Sequence, residues 1–198
     1  MRCAAILLVV SMLLLTAPMR ASAQETDWNL DPDALLASGN DLLRHVPSAE
    51  MDGLFQAVHG AAQDDRQSQL LCRLFEPDAD RSLQGLGAVA TKLDPAHRQR
   101  FATAIADALV AAMQSPQQPF DAARAAQSLR AAGTTAAILH DGFLAGLNAS
   151  GADAASRDAR CRSVRWLLDA MQSRPQAERA AMTRLLLEQG LRRLAPAG

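Results

Sequence analysis

Apolar positions recur with a period close to 3.6 along most of the chain. Met51, Leu54, Phe55 and Val58 stand at i, i+3, i+4 and i+7, one face of a helix. Phe101, Ile105, Ala108, Leu109, Ala112 and Met113 form the clearest run of this kind. Leu83, Leu86, Ala90 and Leu93 keep helical spacing, although Gly85 and Gly87 weaken that helix. Cys161, Val164, Leu168 and Met171 stand at i, i+3, i+7 and i+10, and Leu187, Leu191 and Leu194 line one side of a last helix. The two-residue alternation of a half-buried strand is nearly absent.

The punctuation agrees with this pattern. Asp31-Pro32 and Asp94-Pro95 each join an N-cap to a proline at the first helical position. The first helix carries Leu35, Leu36, Leu42 and Leu43; Pro47 stops it and Ser48 caps the next. Asp64 with Gln67 makes an Asp variant of the capping box ahead of Leu70, Leu71, Leu74 and Phe75, and Pro77 ends that helix. Gln114 to Phe120, with two prolines, is a loop. Asp121 caps a short helix to Ala132, closed by Gly133. Thr134 or Thr135 starts another, carrying Ile138, Leu139, Phe143 and Leu147; its Gly142 and Gly146 would let a neighbouring helix approach closely. Asn148 to Asp153 is a second loop, a helix follows to Gln172, and Pro175 opens the last one. The expected fold is therefore all-α: a single compact domain of about eight helices. Abundant alanine, few aromatics and no tyrosine fit closely packed helices better than sheets.

The N-terminal stretch does not follow the amphipathic pattern. Arg2 precedes an apolar run from Ile6 to Ala17, too short to span a bilayer comfortably, and Ala21-Ser22-Ala23 is a small-x-small cleavage signature. Residues 1–23 read as a signal peptide cut between Ala23 and Gln24, leaving residues 24–198 as the helical domain. A retained anchor is the alternative. No later stretch is long and apolar enough to be a span. The expected setting is periplasmic or secreted.

Cleavage removes Cys3 and leaves Cys72 and Cys161. An even count in an oxidising compartment points to a disulfide. The rivals fit less well. A structural zinc site wants paired C-x-x-C spacing, and a redox site wants both sulfurs in one short motif. Arg157, Arg160, Arg162 and Arg165 surround Cys161 and would favour a reactive thiolate if it were free. With the sulfur bridged, they coat a helix and form a candidate basic surface.

Removing Arg2 and Arg20 leaves 18 bases against 21 acids, a net charge of −3. The balance is uneven: nine arginines face four acids from Ser156 onward, while Gln24 to Phe120 carries fourteen acids against seven bases. The basic end either meets an anionic partner or pairs with the acidic half of its own molecule. Nucleic acid is a poor fit, since the basic face lacks interleaved aromatics apart from Trp166. Arg184, Arg192 and Arg193 flank a leucine stripe that would lie on anionic lipid, or more simply pack on its own core.

Catalytic constellations are weak. Asp78, Asp80 and Ser82 mimic the start of an EF-hand loop, but Leu83 stands where glycine is needed and Val89 where the bidentate glutamate belongs. His45, His59, His97 and His140 are scattered without metal-ligand spacing, and no nucleophile-elbow or cofactor motif occurs. Trp28 precedes the first helix and either pins the N-terminal segment or stands free. The expectation is an exported bacterial envelope or periplasmic protein that acts by protein binding, in an inhibitor, immunity or assembly-accessory role, with no cofactor. The alternative is a helical enzyme or ligand-binding protein with a pocket lined by those histidines and acids.

Overall fold

Alanine sets how closely these helices approach. Residues 32–76, 78–80 and 82–194 are described in a computed structural model. The expected signal segment, its expected Ala23–Gln24 junction, Trp28 and Asp31 lie outside them. Nine α-helices and no strand occur among the described residues: α1 (Pro32–His45), α2 (Ser48–Gln63), α3 (Asp65–Cys72, extended by a 3-10 turn Arg73–Phe75), α4 (Leu83–Ala90), α5 (Pro95–Gln114), α6 (Ala122–Leu139), α7 (Phe143–Leu147), α8 (Ala154–Gln172) and α9 (Gln176–Leu194).

Helices α2 and α9 pack on each other and carry the core on both sides. Val46, Met51, Ala108, Ala112 and Ala180 form one buried cluster, joining α2 and α9 to α5 and the end of α1. Phe55, Ala132, Ala136, Phe143, Ala170, Met171 and Met182 form the other, joining α2 and α9 to α6, α7 and α8. Two phenylalanines and three methionines fill these clusters, and small side chains bring the backbones together around them.

Aspartate caps act where the sequence places them. Asp64, Asp94, Asp121 and Asp153 accept the N–H of Gln67, His97, Arg124 and Ser156 at 2.9, 2.8, 3.0 and 2.9 Å. The N–H of His97 holds the Asp94 carboxyl below its ordinary value of 3.8, and the Ser156 hydroxyl does the same for Asp153. Gln67 does not complete a capping box. Its side chain is buried and accepts the Asp94 N–H at 3.1 Å, closing the excursion that holds α4. Ser48 is the first residue of α2, and Pro47 takes the cap position without a side-chain bond. The EF-hand-like stretch is a helix start: Asp80 accepts from Ser82 N–H, and Ser82 accepts from Gly85 N–H.

Three further expectations change. Gly133 does not end a helix; α6 runs through it to Leu139. Thr134 and Thr135 turn their hydroxyls back to the carbonyls of Arg130 and Ala131, each at 3.0 Å, which keeps both threonines inside the helix instead of opening a new one. The break comes at Gly142, whose φ of 85° is open to glycine. The clearest apolar run buries its small side: Ala108 and Ala112 face the core, while Ile105, Leu109 and Met113 face outward. The last helix buries Ala180, Met182 and Leu185, whereas Leu186 and Leu187 are exposed.

Cys72 and Cys161 are bridged, with Cα atoms 5.3 Å apart, tying α3 to α8 across 89 residues. The buried Ser68 hydroxyl lies 3.5 Å from Cys161 Sγ.

Candidate interaction surface

The turn at Gly142 swings α7 away from the axis of α6 and toward α8. Gly146 then lies against α8: a Cβ there would collide with Ser163 Oγ and the Ala159 carbonyl. Ser163 is fully buried, and its hydroxyl donates to the Phe143 carbonyl at 2.9 Å. Phe143 points into the core, which leaves Leu144 and Leu147 on the outer side of α7.

These constraints open a groove of about 650 Å³ between α6 and α7, with Leu167 of α8 at its side. Leu129, Gly133, Ala137 and Ile138 supply the α6 wall and Phe143, Leu144 and Leu147 the α7 wall. Ile138 is 78% exposed, Leu139 67% and Leu144 60%. Single exposed leucines are ordinary; four large aliphatic side chains together in and beside a groove are not. Arg130 stands on the exposed side of that groove, and no carboxylate among the described residues pairs with it. The groove thus offers an apolar floor with one cation at its edge.

The arginines around Cys161 divide. Arg157 and Arg162 are exposed. Arg165 pairs with Asp65 at 2.8 Å, joining α8 to the start of α3. Arg160 leaves the expected surface: it is buried, and its Nη1 donates to the carbonyls of Ala149 and Gly151 at 2.8 and 2.7 Å, holding the α7–α8 loop. Buried carbonyls need donors, and a guanidinium reaches two at once.

Arg184 also turns inward, away from any lipid-facing role. It is 3% exposed and donates to the carbonyls of Arg44 and Val46, so it caps the end of α1 from α9. Burial pushes its guanidinium down from the usual range, opposed by buried Glu188. Glu188 is held in turn by Arg192 at 3.4 Å.

The histidines are not gathered into a shared pocket. His45 bonds the Asp41 carbonyl of its own helix, and His97 bonds Asp94. His59 meets Asp169 at 2.9 Å, beside Gln63 on the same carboxylate at 2.7 Å. His140 lies in the α6–α7 turn and stacks flat on Trp166, with centroids 4.6 Å apart. Among the described residues no three His, Cys, Asp or Glu side chains form a metal-holding group, and no helix is long and apolar enough to cross a membrane.

The groove escapes the sequence reading because Leu139, Phe143 and Leu147 stand four residues apart, a helical spacing at which core packing is the default. Gly142 is the available signal: the chain breaks there, and Phe143 turns into the core while Ile138 and Leu139 stay exposed. Comparison with protein-family models, with curated proteins and with solved structures finds no match for this chain.

Proposed function

We propose that this chain is an exported envelope or periplasmic protein that acts by binding another protein, and that the α6–α7 groove is its docking site. The occupant is an amphipathic helix of the partner, with its apolar face on Ile138, Leu144 and Leu147 and an acidic side chain opposite Arg130. The observation that carries this reading is the exposed aliphatic groove edged by an unpaired arginine. The Cys72–Cys161 bridge supports export, because such bonds persist in oxidising compartments. An inhibitor, an immunity protein or an assembly accessory would each use such a groove.

The test is site-specific. A photo-crosslinker at Leu144 in the mature protein, exposed to an envelope extract, joins a partner segment that is helical and bears an acid on its apolar edge. The double variant Ile138→Asp, Leu144→Asp abolishes that capture and leaves the melting temperature nearly unchanged, since exposed positions contribute within about 0.5 kcal/mol. Capture that survives the double variant, or the absence of any crosslink, defeats the docking reading. Intact mass of the recovered protein tests export separately: it begins at Gln24. A mass beginning at Met1 defeats that part.

A further inference from the structure

Helix α5 carries a second exposed apolar face, across the α2–α9 pair from the groove. Ala108 and Ala112 fill its core side. On the outer side Ile105, Leu109 and Met113 stand four residues apart, beside a row of Ala102, Ala106 and Val110 at the same spacing. All six are exposed, Met113 to 74%. Asp107, the one charge within that stretch, lies outside both rows. Scattered exposed aliphatics are ordinary; two continuous rows over about three turns mark an interface.

Shape and charge decide what fits this face. It tapers: Ala102 and Ala106 occupy its first half, Ile105 sits near the middle, and Leu109, Val110 and Met113 fill the second half. A second α5 laid antiparallel sets the bulky half of each helix against the small half of the other, and rows four residues apart interdigitate. A parallel neighbour would set bulk against bulk. Charge agrees with the antiparallel arrangement. Arg98 stands one turn before Ala102 on the same face, and no base follows Arg100 along α5. Arg98 Nη1 holds the Thr91 carbonyl at 3.3 Å, and its charge then faces the carbonyl end of the other helix, where the dipole favours a cation.

We propose that this face binds a second copy of the chain, α5 against α5, antiparallel about a two-fold axis near Ala106. The contact is one helix wide and about 17 Å long, less than the roughly 800 Å² per partner of a standard interface, so the dimer is weak and reversible. The α6–α7 groove stays open, and each dimer displays two of them. The pairing itself does not depend on what the groove binds.

The experiment is sedimentation equilibrium of the oxidised protein from about 1 to 500 μM. The weight-average mass rises with concentration and levels at two copies. Leu109→Asp weakens the association about tenfold or more, because a carboxylate enters an apolar contact. As an exposed substitution it leaves the melting temperature of the dilute protein nearly unchanged. Ala106→Leu also weakens the association although it adds apolar surface, because bulk at the axis forces the backbones apart. A photo-crosslinker at Met113 joins the other copy near Arg98–Ala102. The variant Ile138→Asp, Leu144→Asp self-associates as the parent does, which separates this face from the docking groove. A monomer throughout, a mass that climbs past two copies, or tighter association in Ala106→Leu overturns the proposal. So does loss of association in the groove variant, a crosslink from Met113 to the same end of the other α5, or capture of a different protein at Met113 in place of the second copy.

Discussion

Reduction of the Cys72–Cys161 bridge lowers the melting temperature by roughly 9–18 °C. The bond closes an 89-residue loop holding α4 to α7 and the first turns of α8. On chain-entropy grounds a loop of that length contributes about 4.5 kcal/mol. For a domain of this size each kcal/mol corresponds to roughly 2–4 °C. The effect should exceed that of most single side-chain losses, because the bridge ties α3, a short helix, onto α8 from the far side of the loop. The check is a thermal melt with and without reductant, alongside Cys72→Ala, Cys161→Ala. The reduced protein and the double variant should melt together, well below the oxidised form. An oxidised form no more stable than either contradicts the argument.

That bridge was legible from two residues, an even cysteine count once Cys3 is assigned to an expected leader. Other parts of the fold were legible for equally local reasons. Asp94, Asp121 and Asp153 cap helices because a short carboxylate reaches the N–H three residues on, and that geometry needs no tertiary information. What sequence spacing cannot rank is two apolar faces of one helix. In α5, Ala108 and Ala112 lie on the buried side, while the larger Ile105, Leu109 and Met113 stay outside. Close backbone approach to α2 favours the small face, and this preference appears only once α2 is in place. Arginine misled for a related reason. Arg160 and Arg184 read as surface charge, yet both are buried to serve carbonyls at the end of a loop and of a helix. The demand for those donors arises from tertiary structure. The groove depends on one backbone position, Gly142, whose left-handed conformation spacing alone does not reveal.

Asp52→Ala costs about 3 kcal/mol, and the melting temperature falls roughly 6–12 °C. Asp52 is buried on α2 and takes both forks of Arg179: Nε to Oδ1 at 2.7 Å and Nη2 to Oδ2 at 2.9 Å. The hydrogen bonds to Asp52 outweigh desolvation and raise the Arg179 pKa further above its usual value. The same guanidinium donates through Nη1 to the carbonyls of Arg174 and Gln172 at 2.6 and 3.4 Å, so it fastens the α8–α9 turn to α2. Truncating Asp52 leaves a largely buried cation without its counter-charge, and that desolvated charge makes the loss large. Asp65→Ala provides the contrast. Its pair with Arg165 is equally short, but Asp65 is 88% exposed, and such pairs contribute less than about 1 kcal/mol. Asp52→Leu combined with Arg179→Met should be less harmful than the two single losses added, because both charges leave together. The deficit that remains in the double variant measures what the Arg174 and Gln172 carbonyls lose with their donor. Equal losses for Asp52→Ala and Asp65→Ala would mean that burial does not set the worth of these pairs, and that the α8–α9 turn is held by its apolar contacts instead.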